Sequence, residues 1–357
     1  MTTINPPRPT LGLSARRLPV WAPYVMAVAA VAIAFGAIDG GGALGGGVAL
    51  SVVASVVFFL VILGLTARIV EGSRAARNRI ATAMIYSAFA LAALPLILVV
   101  KTLIVNGHQR LDATFFTHSN ADITAFDSGG GIYHAIIGTI EQVGIAVLIS
   151  VPLGLGGAIY IVEYGTGKLA STIRFFVDVM TGIPSIVAGL FVLSFWVLVV
   201  SPIFNDGQPE FSGFAASLAL TVLMLPTITR SSEEMLRLVP SPLREASYAL
   251  GIPKWKTILK VVLPTATTGI VTGVMLAIAR AAGETAPVLL VAGATDLINT
   301  DPFSGQQESL SIYINAQANL ASPYADPRAW TAALTLVFMV LALTVIAKLL
   351  ARRNKLT

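Results

Sequence analysis

The sequence predicts an all-α polytopic membrane bundle of about eight transmembrane helices. Three observations carry that expectation. The 357-residue chain is 55% hydrophobic and only 11% charged, with a mean hydropathy of +0.82; soluble domains carry about a quarter charged residues, and so little charge cannot cover a water-facing surface. Apolar runs of about 20 residues recur along the chain, each long enough to cross ~30 Å of hydrocarbon at 1.5 Å per residue. Lysine and arginine collect on one side of those runs. The chain has no cysteine, which excludes disulfides, thiol catalysis and cysteine metal ligation.

The runs fall at 19–38, 46–66, 80–100, 132–160, 175–200, 213–230, 264–292 and 329–350. The first follows arginines, as a secretory signal does, but its apolar stretch is longer than a signal core and a second run follows at once, so it reads as an uncleaved span. GGGALG (40–45) satisfies GxGxxG without a preceding strand, and reads as a flexible turn between spans rather than a nucleotide fingerprint. Arg8, Arg16, Arg17, Arg68, Arg74, Arg77, Arg79, Lys168, Arg174, Arg230, Arg237, Arg244, Lys254, Lys256, Lys260, Lys348, Arg352, Arg353 and Lys355 lie on one side. These are 19 of the 23 basic residues. Lys101, Arg110 and Arg328 lie on the other, and Arg280 sits within a run. The positive side is the cytoplasmic one, which puts both termini in the cytoplasm.

The longest loop on the positive side reads SSEEMLRLVPSPLREASYALGIPKWKTILKVVLP (231–264). Ser231 and Glu234 have capping-box spacing. Ser241 before Pro242 predicts a helix start, and Gly251 a left-handed residue at its end. Leu243, Ala246 and Leu250 share one face of that helix. Pro253 opens a second helix with Trp255, Ile258, Leu259 and Val262 at helical spacing. This basic, amphipathic helix–turn–helix fits either a connector resting on anionic lipid or a docking element for a partner on that side. Reading DNA from a loop tethered at both ends to the membrane is disfavoured, and no nucleic-acid partner is expected.

Ionisable residues within the runs are Glu141, Asp178, Arg280 and Glu284. Asp178 is near enough to its span end to reach interfacial water. Glu141 lies deeper, where a hydrogen-bonded structural carboxyl and a functional one are equal readings. Arg280 and Glu284, at i and i+4, project from one helical face and partly neutralise each other. Either the pair only makes its own insertion tolerable, or Arg280 presents the planar donors suited to a tetrahedral oxyanion. Gly182 and Pro184 interrupt a further span, as at a packing kink or the border of a cavity.

Two groups of motifs carry a family resemblance. EASYALG (245–251), nine residues, then VVLP (261–264) resembles the "EAA" signature of ABC-importer permeases, with Ser247 for the usual second alanine and Val261 for the usual isoleucine. TGVMLAIARAAGETAPVLLVAGA (272–294), RSSEEMLRLVPSPLREASYALG (230–251) and GIPSIVAGLF (182–191) resemble the phosphate-specific members, and the proline after GETA points to their A-type subunit. The resemblance covers residues 80–350. It implies a MetI-like permease core of six of the spans, with residues 1–79 as an N-terminal extension of two and 351–357 as a cytoplasmic tail. It further implies residence in a prokaryotic cytoplasmic membrane. Implied partners are a C-type permease subunit, cytoplasmic ATPase subunits, an extracytoplasmic phosphate-binding protein, membrane lipid and inorganic phosphate. Glu245, Ala246 and Gly251 become ATPase-coupling residues; Arg280 and Glu284, with Arg230 and Glu141 behind them, become candidates for the substrate pathway. Arg230 reads equally as a positive-side anchor.

The chain has no Walker A run: its only GK, at 167–168, is followed by Leu169 and has Val162 where the first glycine belongs. ATP is then a partner's ligand, no cofactor is implied, and the chain is not itself an enzyme. A membrane enzyme would need an acid pair or metal cluster, and Glu233 and Glu234 are adjacent residues that diverge on a helix. A proton-coupled secondary anion carrier using Glu141 and Glu284, or a permease for another oxyanion, is the competing reading. Asp112, Asp122, Asp127, Asp296, Asp301, Glu308 and Asp326 make the opposite loops acidic, as suits docking a binding protein. His108, His118 and His134 lack ligand spacing and read as ordinary loop residues.

Overall fold

A computed structural model describes residues 17–38, 47–165 and 167–353 of the chain, and the described residues form helices joined by turns and loops, with no strand among them. Contacts divide the chain into two compact units, Met1–Val100 and Lys101–Thr357. In the first, α1 (Ala22–Ile38) packs on α2 (Gly47–Val70), and α3 (Ser73–Gly107) follows. The turn into α3 needs a left-handed residue and has one in Gly72, at φ +88°. Beside it Glu71 accepts from Arg79 Nε and from the Leu18 backbone N–H, both at 2.6 Å. GGGALG, Arg8, Arg16 and Lys355 lie outside the described residues.

The second unit holds α4 (Ala113–Thr117), α5 (Tyr133–Tyr164), α6 (Lys168–Thr181), α7 (Ser185–Phe204), α8 (Gly213–Arg237), α9 (Ser241–Ala249), α10 (Lys254–Ala282), α11 (Ala286–Ala292), α12 (Leu310–Ala318) and α13 (Ala325–Arg353). Helix α8 is its axis: 61% of its apolar window is buried, and α5, α6, α7, α10 and α11 all pack on it. Small residues permit this. Ala215, Ala216, Ser217 and Ala219 are fully buried, and a side chain at Gly154 of α5 would put Cβ 2.8 Å from Ile228. Gly269 and Gly273 of α10 leave the same kind of room for Met235 and Ser231. In a bilayer, where lipid is as apolar as leucine, such backbone approach is a main source of helix association.

Among the described residues seven helices are long and apolar enough to cross a membrane, and Ala22–Ile38 is a shorter apolar helix beside them, in keeping with about eight spans. Elsewhere the structure corrects expectations about the elements. The expected run 175–200 is two helices, because Pro184 cannot continue α6 and its ring disfavours a helical Ile183; only α7 is a candidate span. The run 264–292 likewise ends at Ala282 and restarts at Ala286. Finally, Ser231 and Glu234 form no capping box. Both lie inside α8, which runs on to Arg237, and Ser231 Oγ donates to the Ile228 carbonyl at 3.2 Å. The second helix of the expected helix–turn–helix is the beginning of α10, leaving only α9 free-standing in the connector.

Candidate functional site

The break between α10 and α11 shapes the first part of the site. Gly283 caps α10, its N–H bonded to the Arg280 carbonyl at 3.2 Å, and Glu284 N–H bonds Ala281 O at 3.1 Å. Pro287 in the first turn of α11 lacks the N–H that a continuous helix would need. Arg280 therefore occupies the last turn of α10, where a cation suits the carbonyl end of the helix, and Glu284 lies in the break. The two still meet, Nε to Oε1, at 3.6 Å, with the arginine side chain 64% exposed and the glutamate 18%. They do so across a helix end, not along one helical face as expected. At that separation the pair is ionic without being a hydrogen bond. Among the described residues the Arg280 guanidinium donates to no protein acceptor. Ser311 Oγ, from α12, fixes the Glu284 carbonyl at 2.9 Å.

The other break comes to the same place. Gly182 and Pro184 separate α6 from α7, and α7 packs on α11. The contact is close: a Cβ at Gly189 would stand 2.7 Å from Pro287 Cα and 3.0 Å from its carbonyl. GIPSIVAG and ARAAGETAP, nearly a hundred residues apart in sequence, are thus packed neighbours.

At the far end of α10, roughly 40 Å along the helix from Arg280, α9 presents an exposed face. Glu245, Ala246, Leu243 and Leu250 are all exposed, the last at 79%. Gly251 closes α9 at φ +74°, the left-handed conformation expected of it. Two contacts the sequence did not reveal hold α9 in place. Arg244 reaches Glu163 at the end of α5, Nη2 to Oε1 at 2.7 Å, and also donates to the Val239 and Leu236 carbonyls. Glu163 is 4% exposed, so this is a buried, hydrogen-bonded pair. Ser247, the departure from the usual alanine, is buried and shares a 2.8 Å hydroxyl contact with Thr257 of α10. The available cue was Glu163 itself, the acid that closes the uncharged stretch 142–162.

The remaining candidates stand apart from Arg280. Arg230 enters a charge network at the α9 end: Asp178 Oδ1 at 3.7 Å, Glu234 Oε1 at 3.4 Å and Glu233 Oε2 at 3.9 Å. Glu233, 3% exposed, is also held by Arg174 and Arg237 at 3.2 and 2.6 Å. Glu141 lies toward the opposite end, where its Oε2 accepts from Gln307 Nε2 at 2.5 Å. No ion pair or hydrogen bond among the described residues joins either to Arg280.

That opposite end also revises the reading of its loops. Asp112 caps α4 through the Phe115 N–H at 2.9 Å, and the Thr114 hydroxyl, foremost, holds its carboxyl down at about 2. Asp127 accepts from Thr124, and Glu308 is 5% exposed. Asp112 and Asp127 are hydrogen-bonded but remain exposed, whereas Glu308 is withdrawn from the surface. His134 is no loop residue; it is buried in the first turn of α5, Nε2 3.2 Å from Glu308 Oε2. Burial pushes the Glu308 carboxyl above the usual range, with the His134 contact pulling it down. Arg328 is fully buried and donates to the Gly129 and Asp127 carbonyls.

Comparison with known proteins follows the same residues. The family described as "Binding-protein-dependent transport system inner membrane component" matches residues 150–356. The "Phosphate transport system permease protein PstA 1" of Mycobacterium tuberculosis is 43% identical over 288 residues, which are 79% of this chain and 91% of that one. The PstA of Mycobacterium leprae is 43% identical over 268 residues, 75% and 86% of the two. Among solved structures, the inward-facing MetNI methionine ABC transporter is 23% identical, covers 63% of this chain and 94% of that chain, and superposes with a TM-score of 0.49.

Proposed function

We propose, for a chain that belongs to the binding-protein-dependent transport system inner membrane components and among them to the PstA-type permeases, that it passes inorganic phosphate inward through a path bordered by the α10–α11 break. It is a multi-pass membrane permease subunit. One observation carries the substrate reading: an exposed guanidinium, in the last turn before the break, gives its donors to no acceptor among the described residues and stands 3.6 Å from a carboxylate. Arg280 offers a tetrahedral oxyanion fixed planar donors. Glu284 repels the same anion and keeps Arg280 from trapping it. It also accepts a hydrogen bond from the P–OH of HPO₄²⁻ or H₂PO₄⁻, a group that fully ionised sulfate does not carry, so phosphate is favoured. Arg230 and Glu141 belong to the path only as flanking charges toward its two ends.

Energy reaches this path from the other end of α10. The exposed face of α9, with Glu245, Ala246 and the Gly251 turn, seats in cytoplasmic ATPase subunits, and the Arg244–Glu163 pair carries the push to α5. A C-type permease completes the path, and an extracytoplasmic binding protein delivers phosphate. Both termini then face the cytoplasm, with residues 80–350 as the import core and 1–79 as an extension. The test is labelled-anion uptake by the assembled transporter, with phosphate, sulfate, molybdate and phosphonate compared. Phosphate-selective, ATP-dependent uptake is expected; equal transport of sulfate, or uptake independent of the ATPase, contradicts the reading.

A further inference from the structure

Away from both ends of the α10 path, one cluster of two buried side chains and an exposed one has chemistry that transport does not use. A ring nitrogen of His134 and one carboxylate oxygen each of Asp296 and Glu308 lie within 4.8 Å of one another. They come from two segments: His134 from the first turn of α5, and Asp296 and Glu308 from the connector between α11 and α12. Two carboxylates held this close, here one buried and one exposed, repel each other unless a cation or a proton stands between them. Among the described residues neither Asp296 nor Glu308 has a lysine or arginine within ion-pair distance. Arg328 lines the same cavity of about 280 Å³, but its guanidinium is turned to the Gly129 and Asp127 carbonyls. Among the described residues the one basic group in contact with Glu308 is His134.

Further buried groups point the same way. Gln317 lines that cavity, is 4% exposed, and its Oε1 has no partner. His134, 2% exposed, leaves Nδ1 without one. An unpartnered oxygen lining the same cavity as Asp296 and Glu308 makes an acceptor-rich wall. Asp296 is exposed, which gives an entry path, and Asn120 Nδ2 donates to its Oδ1 at 2.9 Å, the orienting contact a ligating carboxylate commonly has.

We propose that His134, Asp296 and Glu308 bind a first-row divalent cation of the zinc or manganese class, with Gln317 Oε1 at its edge. An imidazole with two carboxylates suits zinc or manganese better than calcium, which takes oxygen ligands throughout. Bonds of about 2.0–2.2 Å set neighbouring ligand atoms roughly 3–4 Å apart. His134 and Glu308, at 3.2 Å, already stand at that spacing, and a rotamer change of exposed Asp296 completes the set. The cation fastens residues 294–308 to the end of α5, at the end of the unit remote from α9.

The experiment uses the full chain, purified in detergent without a polyhistidine tag, stripped with chelator and titrated with Zn²⁺ and with Mn²⁺ by calorimetry, bound metal being counted by mass spectrometry. About one equivalent of one of them is expected, with affinity lowered at least about tenfold in Asp296→Asn and in His134→Gln and unchanged in His108→Gln. Asp296 is exposed, so its variant decides the matter where His134→Gln does not fold. No stoichiometric binding to the wild-type chain, or wild-type affinity in Asp296→Asn, overturns the site.

Discussion

Arg280 and Glu284 differ in what they do for an anion, and their variants separate the two roles. Glu284→Gln keeps the shape of the break but removes the repulsion that releases the anion. Phosphate is then held more tightly in the ground state than the path requires, so both KM and kcat for uptake fall; a variant with both constants unchanged contradicts the assigned role. Sequence marked these two residues because charge within an apolar run is conspicuous. It misjudged their setting: the i, i+4 spacing implied one helix, whereas Gly283 and Pro287 end it between them. His134 was passed over because its partners, Asp296 and Glu308, lie more than 160 residues away, a distance no spacing rule covers.

At the scale of elements, α9 is the clearest success of the sequence, since Gly251 and Pro253 bracket its end by backbone chemistry alone. Gly251→Val forces a β-branched residue to φ +74°, costing about 1–2 kcal/mol. The expected outcome is ATP hydrolysis without matching uptake, or loss of ATPase co-purification; normal values of both rule against α9 as the coupling element. Arg244→Met leaves Glu163 buried and unpaired, costing about 3 kcal/mol. Thermal unfolding in detergent should fall accordingly, and Glu163→Gln with Arg244→Met together should recover part of the loss. The α7–α11 contact behaves differently. Gly189→Val has no flexible side chain to push aside, only the Pro287 backbone, so uptake is expected to fail with the two breaks displaced; wild-type uptake would mean that their proximity is incidental. None of this contact was legible beforehand, because a glycine in an apolar run looks the same whether it meets lipid or proline. The true end of α8 was equally hidden, since its capping-box pattern is satisfied by residues that simply continue a helix.

For the whole molecule, one continuous helix, α10, runs from an ion pair at one end to the exposed face of α9 at the other. Composition and charge bias were enough to give the all-helical membrane class, and the motifs were enough to give the family. An ATP-driven device predicts that phosphate uptake persists with an uncoupler while ATP is held constant, and stops without the ATPase; the reverse pattern belongs to a proton-coupled carrier. The central claim is that Arg280 holds the anion in transit, and labelled-phosphate uptake by an Arg280→Gln transporter tests it most directly. With assembly and ATPase co-purification intact, uptake should fall by about 10–100-fold, the equivalent of charge-assisted hydrogen bonds lost. Near-normal uptake would instead leave Arg280 as nothing more than the partner of Glu284.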